Sequence, residues 1–227
     1  MIKIEEITLP SSEQMGFIIE GMRNPMNSWH KSDSHFYKGY ITQGINVSSE
    51  LGKKDFDLMK NLAKSGTDHR KFMRMMTVYV RITAPLYWWK EFDTYKVGTV
   101  SNSCSTMHKI SEKEFILDDF SHEQLLTEDN IKWREAAPKR VLESVIFCLN
   151  EYRKLYIETR DKKYWWQMIQ LLPSSYNQTR NIMLNYEVLR NIYDSRRNHK
   201  LDEWRKFCDW ILSLPYNELI TIKEREG

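Results

Sequence analysis

Cysteine is scarce. Cys104, Cys148 and Cys208 are the three in 227 residues, and no two stand at C-x-x-C spacing. That excludes a disulfide framework and a thiolate metal site, and it points to a reduced, cytoplasmic setting. The six histidines are scattered too, so no metal site is expected. No apolar run approaches the roughly 18 residues of a membrane span. The opening MIKIEEITLP carries acidic residues and no signal-peptide core. A formal charge of +3 is too small to argue for nucleic acid. With no low-complexity segment and no linker, a single domain over residues 1–227 is expected. What the chain has in quantity is aromatic: 13% of residues, with 8 Trp and 12 Tyr. Such a content suits a tightly packed interface or surfaces that stack planar ligands.

Periodicity gives the elements. Ile2, Ile4 and Ile7 suggest a first strand. Ser11 or Ser12 can cap a helix from Glu13 to about Met22, with Phe17, Ile18 and Met22 inward. Residues 24–46 give no firm assignment, and His30 and His35 within them read as surface residues. Ser49 starts a helix to Ser65, stopped by Gly66. Leu51, Leu58 and Leu62 share a core face there, with Phe56 and Met59 beside it and Asp55 interrupting the stripe. Lys109–Asp119 reads as a connector, and Ser121 can cap a turn through Leu126. Pro138 opens a long helix in which Val141, Val145, Leu149, Tyr152 and Tyr156 repeat at helical spacing.

Two stretches carry candidate chemistry. The first is Thr67–Ile110. Lys71–Ile82 alternates as a strand, with Phe72, Met76, Val78, Val80 and Ile82 on one side and Met73, Met75, Tyr79 and Arg81 on the other. Leu86–Phe92 forms a helix behind Pro85. The loop Thr94–His108 is dense in hydroxyl side chains, with Lys96 beside them. It reads either as a polar surface turn or as a set of donors for phosphate. The second stretch starts at Leu171, where a Leu-Pro turn leads into a long helix holding Asn185 and Arg196. Eleven residues at roughly 100° each return these two to nearly one face, with Leu189 and Ile192 between them. An amide and a guanidinium flanking an apolar strip would suit a planar anion. The other reading of Arg196, beside Arg197, is an exposed basic helix end.

Both stretches resemble the flavin-dependent thymidylate synthases. His69-Arg70-Lys71-Phe72 is similar to the His-x-x-Phe that the family carries on a strand. The family motif R-H-R-x-x-S-x-N-E-x-S-x-R-Y falls on Tyr95–His108, where Asn102 and Ser105 match and Tyr95-Lys96-Val97 replaces Arg-His-Arg. A shift of one sets Lys96 and Thr99 on the second Arg and the first Ser. Pro173, Asn185 and Arg196 keep the family's intervals in the second stretch. The Arg that precedes the Leu-Pro turn and the residues that follow the helix Arg are not kept. The resemblance spans about residues 50–215.

It implies an α+β fold of the thymidylate synthase-complementing type, an antiparallel sheet with long C-terminal helices. It also implies a homotetramer that binds flavin adenine dinucleotide (FAD), reduces it with NADPH, and methylates dUMP or a related pyrimidine nucleotide with methylenetetrahydrofolate. By position, His69 and Asn185 would lie near the flavin, and Asn102 and Ser105 would contact flavin or nucleotide phosphate. Arg196 would sit against the pyrimidine as the catalytic group, and Lys96 would supply a point charge for a lost arginine. The missing arginines leave a second expectation open, a catalytically inactive protein on the same fold that binds a nucleotide or serves assembly.

Overall fold

The computed structural model describes residues 1–36 and 50–224, without the side chains of Thr106 and Met107. Four strands, β1 (Lys3–Thr8), β2 (Thr77–Pro85), β3 (Val100–Ser103) and β4 (Asn177–Asn185), form one sheet in the order β1-β2-β4-β3. β2 and β4 pair antiparallel. Thr83 Oγ1 and Thr179 Oγ1 lie 2.7 Å apart, and the Tyr186 N–H donates to Met76 O at 3.1 Å. The helices are α1 (Ser12–Arg23), α2 (Lys53–Lys64), α3 (Phe72–Met75), α4 (Leu86–Phe92), α5 (Thr106–Lys109), α6 (Pro138–Thr159), α7 (Lys162–Leu171), α8 (Tyr186–Arg196), α9 (Asp202–Ser213) and α10 (Glu218–Thr221). The fold class is the α+β arrangement expected. Among the described residues no helix is long and apolar enough to cross a membrane, and no group of His, Cys, Asp and Glu could hold a metal ion.

The chain folds as two compact units, residues 1–4, 82–94 and 102–181, and residues 5–81, 95–101 and 182–227. In the first, α6 and α7 enclose a core of Ile110, Phe115, Phe120, Leu142, Ile146, Leu149 and Met168. Beside it Trp88, Trp89 and Phe92 pack ring on ring, with centroids 4.9–5.3 Å apart. In the second unit α8 packs against α3, α9 and α10. Leu189, Ile192, Trp204 and Phe207 are fully buried there.

Helix α1 starts as the sequence indicates. Ser11 accepts from the Gln14 N–H at 3.2 Å, and Gln14 Oε1 accepts the Ser11 N–H at 2.8 Å, a reciprocal cap. Phe17 points outward at 66% exposure, while Ile18 and Met22 are buried. Residues 24–36 hold two short 3-10 turns, Asn24–Met26 and Trp29–Lys31, with His30 and His35 exposed. The rest of the unassigned segment lies outside the described residues, and α2 starts at Lys53 behind Gly52, not at Ser49 as expected. The buried face of α2 is Asp55, Met59 and Ala63, so the residue that interrupts the leucine stripe is itself fully buried.

Four further expectations are corrected. Phe72 and Met73 are adjacent and both buried, against the expected assignment of the two to opposite sides of an alternating strand. Residues 72–75 make a helical turn, and the strand runs Thr77–Pro85. The loop after α4 contains β3 and α5. The inward stripe of α6 is Leu142, Ile146 and Leu149, with Val141 turned out at 47% exposure. After Pro173 the chain is a strand before it is a helix, so Asn185 ends β4 and the helix proper spans Tyr186–Arg196.

Candidate functional site

In the second unit the segment Tyr95–Ser101 lies along α8. Gly98 has φ +75°, and a Cβ there would stand 2.9 Å from Asn185 Nδ2 and 3.1 Å from Val188 Cγ2. The segment approaches the start of α8 this closely because position 98 has no side chain. Gly98→Ala should therefore destabilise the protein by about 1 kcal/mol or more, through the positive φ and the crowding together. Chemical denaturation of the variant against the wild type measures it.

Asn185 is buried and serves α8 as its N-cap, its Oδ1 accepting the Val188 N–H at 3.0 Å. Arg196 ends the same helix. Its Nε donates to Tyr95 Oη at 2.9 Å, and its guanidinium carbon sits 4.8 Å from the centre of the Trp204 ring and 5.7 Å from that of Tyr95. Tyr95 and Trp204 meet edge to face at 6.0 Å. The two sequence-predicted residues thus stand at opposite ends of one helix, about 16 Å apart at 1.5 Å per residue. Leu189 and Ile192 between them are core and form no ligand strip.

The remaining expected residues lie at the surface. Lys96 is exposed in the Tyr95–Ser101 segment, and Thr99 Oγ1 there is buried with no hydrogen-bond partner among the described residues. His69 is exposed in a turn rather than on a strand, its N–H bonded to Gly66 O at 3.1 Å. In the first unit Asn102 is exposed on β3, and Ser105 caps α5, accepting the His108 N–H at 3.1 Å.

A cleft of about 550 Å³ opens in the second unit, within the usual range for a ligand site. Thr67, Arg70, Arg74, Val97, Glu187 and Arg190 line it, with Val188, Asn191, Asp194 and Glu224. Arg70 and Arg190 are buried. Arg70 Nε donates to Glu187 at 2.8 Å, and Arg70 Nη1 is paired with Glu224. Arg190 Nη1 donates to Ala63 O at 3.2 Å and Leu219 O at 3.1 Å. Burial and the neighbouring Arg70 charge hold the Arg190 guanidinium below the usual arginine range. Glu224, bonded to Arg70 and near its charge, is held below the usual carboxylate range.

The sequence reading missed the partners of Arg196. Tyr95 stands where the family motif has an arginine and counts there only as a loss, yet it is the group that fixes Arg196. Arg70 was visible beside His69, but its acidic partners lie 117 and 154 positions away. The one local signal was Gly98, a lone glycine in a polar loop.

No protein-family model and no curated protein sequence matches the chain. Solved structures do. Thymidylate Synthase X (ThyX) from Helicobacter pylori, with FAD and dUMP, superposes with a TM-score of 0.62 at 16% identity, covering 97% of this chain and 96% of that one. The UMP/dUMP methylase PolB from Streptomyces cacaoi, bound with 5-Br dUMP, superposes at 0.59 with 13% identity, covering 100% and 96%. At these identities the likeness concerns the fold. The chain has the fold of the ThyX structures, and the likeness extends beyond residues 50–215 to nearly the whole chain.

Proposed function

We propose that this protein binds a pyrimidine nucleotide beside a flavin and methylates the pyrimidine reductively, as a divergent relative of the flavin-dependent thymidylate synthases. The observation that carries the reading is the fixed Arg196. A guanidinium bonded to Tyr95 and stacked on Trp204 is presented in one orientation. An oriented fork of donors suits the carbonyl edge of a pyrimidine. Nucleotide-bound structures of the same fold support it. The homotetramer and the use of NADPH and methylenetetrahydrofolate belong to the same proposal.

The residues fit a flavin dinucleotide through their donors. Thr99 Oγ1 is a buried hydroxyl with no partner among the described residues, and Thr67, Arg74 and Asn191 line the cleft. In this proposal His69, Asn185 and the Thr67–Asn191 side of the cleft hold the flavin. Lys96 and Thr99 face phosphate; within the first unit, Asn102 and Ser105 are proposed separately as phosphate contacts. When bound, the flavin supplies the hydride. Arg196 orients the pyrimidine and withdraws charge from its carbonyl, and the buried shell of α8 keeps the Arg in place.

One observation favours a second reading, a nucleotide-binding protein without flavin chemistry. The cleft is electrically balanced, three arginines against three carboxylates, where a phosphorylated cofactor needs net positive charge. Loading with FAD, desalting and recording the visible spectrum separates the two. Retained flavin bands and turnover of dUMP support the enzyme, whereas a colourless protein that still binds dUMP supports the second reading. In calorimetry Arg196→Ala should weaken dUMP binding by roughly 10- to 150-fold, the loss of a charged hydrogen bond worth about 1.5–3 kcal/mol. Unchanged binding by that variant overturns both readings.

A further inference from the structure

The cleft contains one carboxylate unlike the others. Glu187 belongs to α8 itself and is 18% exposed in its side chain, whereas Glu224 is 52% exposed and follows the end of α10. The Ile222 N–H donates to Glu218 O at 3.0 Å at the base of that tail. Among the described residues, Glu224 then engages only arginines, Arg70 directly and Arg190 at 4.0 Å. Two buried cations therefore share a half-exposed anion carried by an extended tail. With Glu224 the six charges lining the cleft, Arg70, Arg74, Arg190, Glu187, Asp194 and Glu224, sum to zero, and without it they sum to +1. The Arg70 Nη1 donor would then face the cleft without its partner.

We propose that Arg70 and Arg190 form an anion subsite of this cleft, and that Glu224 occupies it as a displaceable internal ligand. The chemical class that competes with Glu224 is a compact polyanion, a phosphate or pyrophosphate group. Such a group offers more acceptor oxygens and more charge than one carboxylate, so it gains more from a guanidinium fork. The tail sets the threshold. A ligand must displace Glu224, and its apparent affinity falls by the fraction of molecules in which the subsite is open. The inference rests on the reading of this cleft as a ligand site, but not on flavin binding or methylation.

The test uses the full chain and inorganic pyrophosphate at low ionic strength. In calorimetry Glu224→Gln should bind pyrophosphate at least tenfold more tightly than the wild type, and adding Arg70→Met should remove that binding. Equal affinity for wild type and Glu224→Gln, or no binding by Glu224→Gln, overturns the proposal. A second measurement needs no variant. Trypsin cleaves after Lys223, beside the seated Glu224. Pyrophosphate should speed that cleavage several-fold in the wild type, read by mass spectrometry, while cleavage after Lys200 stays constant. No acceleration counts against displacement. A protein that fails to load with flavin yet gives both expected results retains this subsite and loses only the flavin reading.

Discussion

Replacing Asp55 by Ala should cost about 3–5 kcal/mol of stability, the loss expected when one partner of a buried ion pair is removed. Asp55 is fully buried. Its Oδ1 accepts from Arg23 Nε at 2.5 Å, and its Oδ2 accepts from the Ser32 and Ser34 hydroxyls, both at 2.6 Å, and from the Asp33 and Ser34 N–H groups at 3.2 and 3.1 Å. Truncation takes the carboxylate from a buried guanidinium, which keeps only its long Ser28 contacts, and from four further donors. The neighbouring Asp33 caps α2 through the Lys54 and Asp55 N–H groups, so the damage spreads to the start of that helix. Chemical denaturation measures the loss. The double variant Arg23→Met/Asp55→Leu should recover only part of it, because the Ser32 and Ser34 donors stay orphaned. A single variant within 1 kcal/mol of wild type would contradict this account.

The same group sets a pH dependence. Burial alone would push the Asp55 carboxyl up, but the Ser32, Ser34 and Arg23 hydrogen bonds outweigh it and hold the carboxyl below the usual aspartate range. A carboxylate whose folded pKa is depressed contributes stability that is fully present above the unfolded value, about 3.9, and is lost as pH falls through the folded value. Acid titration should therefore show a fall in stability starting near pH 4, and Asp55→Asn should flatten it.

In the other unit, Trp89→Ala should cost about 3–5 kcal/mol, the range for truncating a buried aromatic. Trp89 is fully buried, and its Nε1 donates to Gln178 O on β4 at 2.9 Å. Arg180 lies over its ring at 4.2 Å and bonds Asp93 at 2.7 Å. Trp89→Phe keeps most of the apolar area and loses the Nε1 bond, so it should cost about 1–2 kcal/mol. Equal losses for the two variants would show that the Nε1 bond, not the apolar ring, ties α4 to the strand.

These two residues also explain what the sequence could and could not disclose. Helix α4 at Leu86–Phe92 and the Pro138 start of α6 were legible, since each depends on local spacing and a proline. Strand β4 was not. Its core-facing positions begin with Gln178 and Arg180, polar residues that hide the alternation completed by Ile182 and Leu184. They can face inward because Gln178 Nε2 donates to Cys104 O at 2.9 Å and Arg180 is bonded to Gln178 and Asp93. Partners 74 and 87 positions away leave no trace in a local window. Asp55 is the same case on a helix: its charge looked like a break in the stripe because Arg23, Ser32 and Ser34 are remote. At the candidate site, Arg196 and Asn185 could be found by interval. The strand that ends at Asn185, and the Tyr95 contact, required the fold.

Strand β2 pairs with residues a hundred positions downstream, and this has a consequence for synthesis. Val78, Val80, Ile82 and Ala84 are almost wholly buried in the folded protein. As the chain leaves the ribosome, β1 is already available to one edge of β2, but β4 is not. At about 5–20 residues per second, the hundred residues from Pro85 to Asn185 take roughly 5–20 s to emerge. During that interval an apolar strand edge waits without its neighbour, and nascent chains stalled between residues 90 and 175 should be the species that chaperones capture.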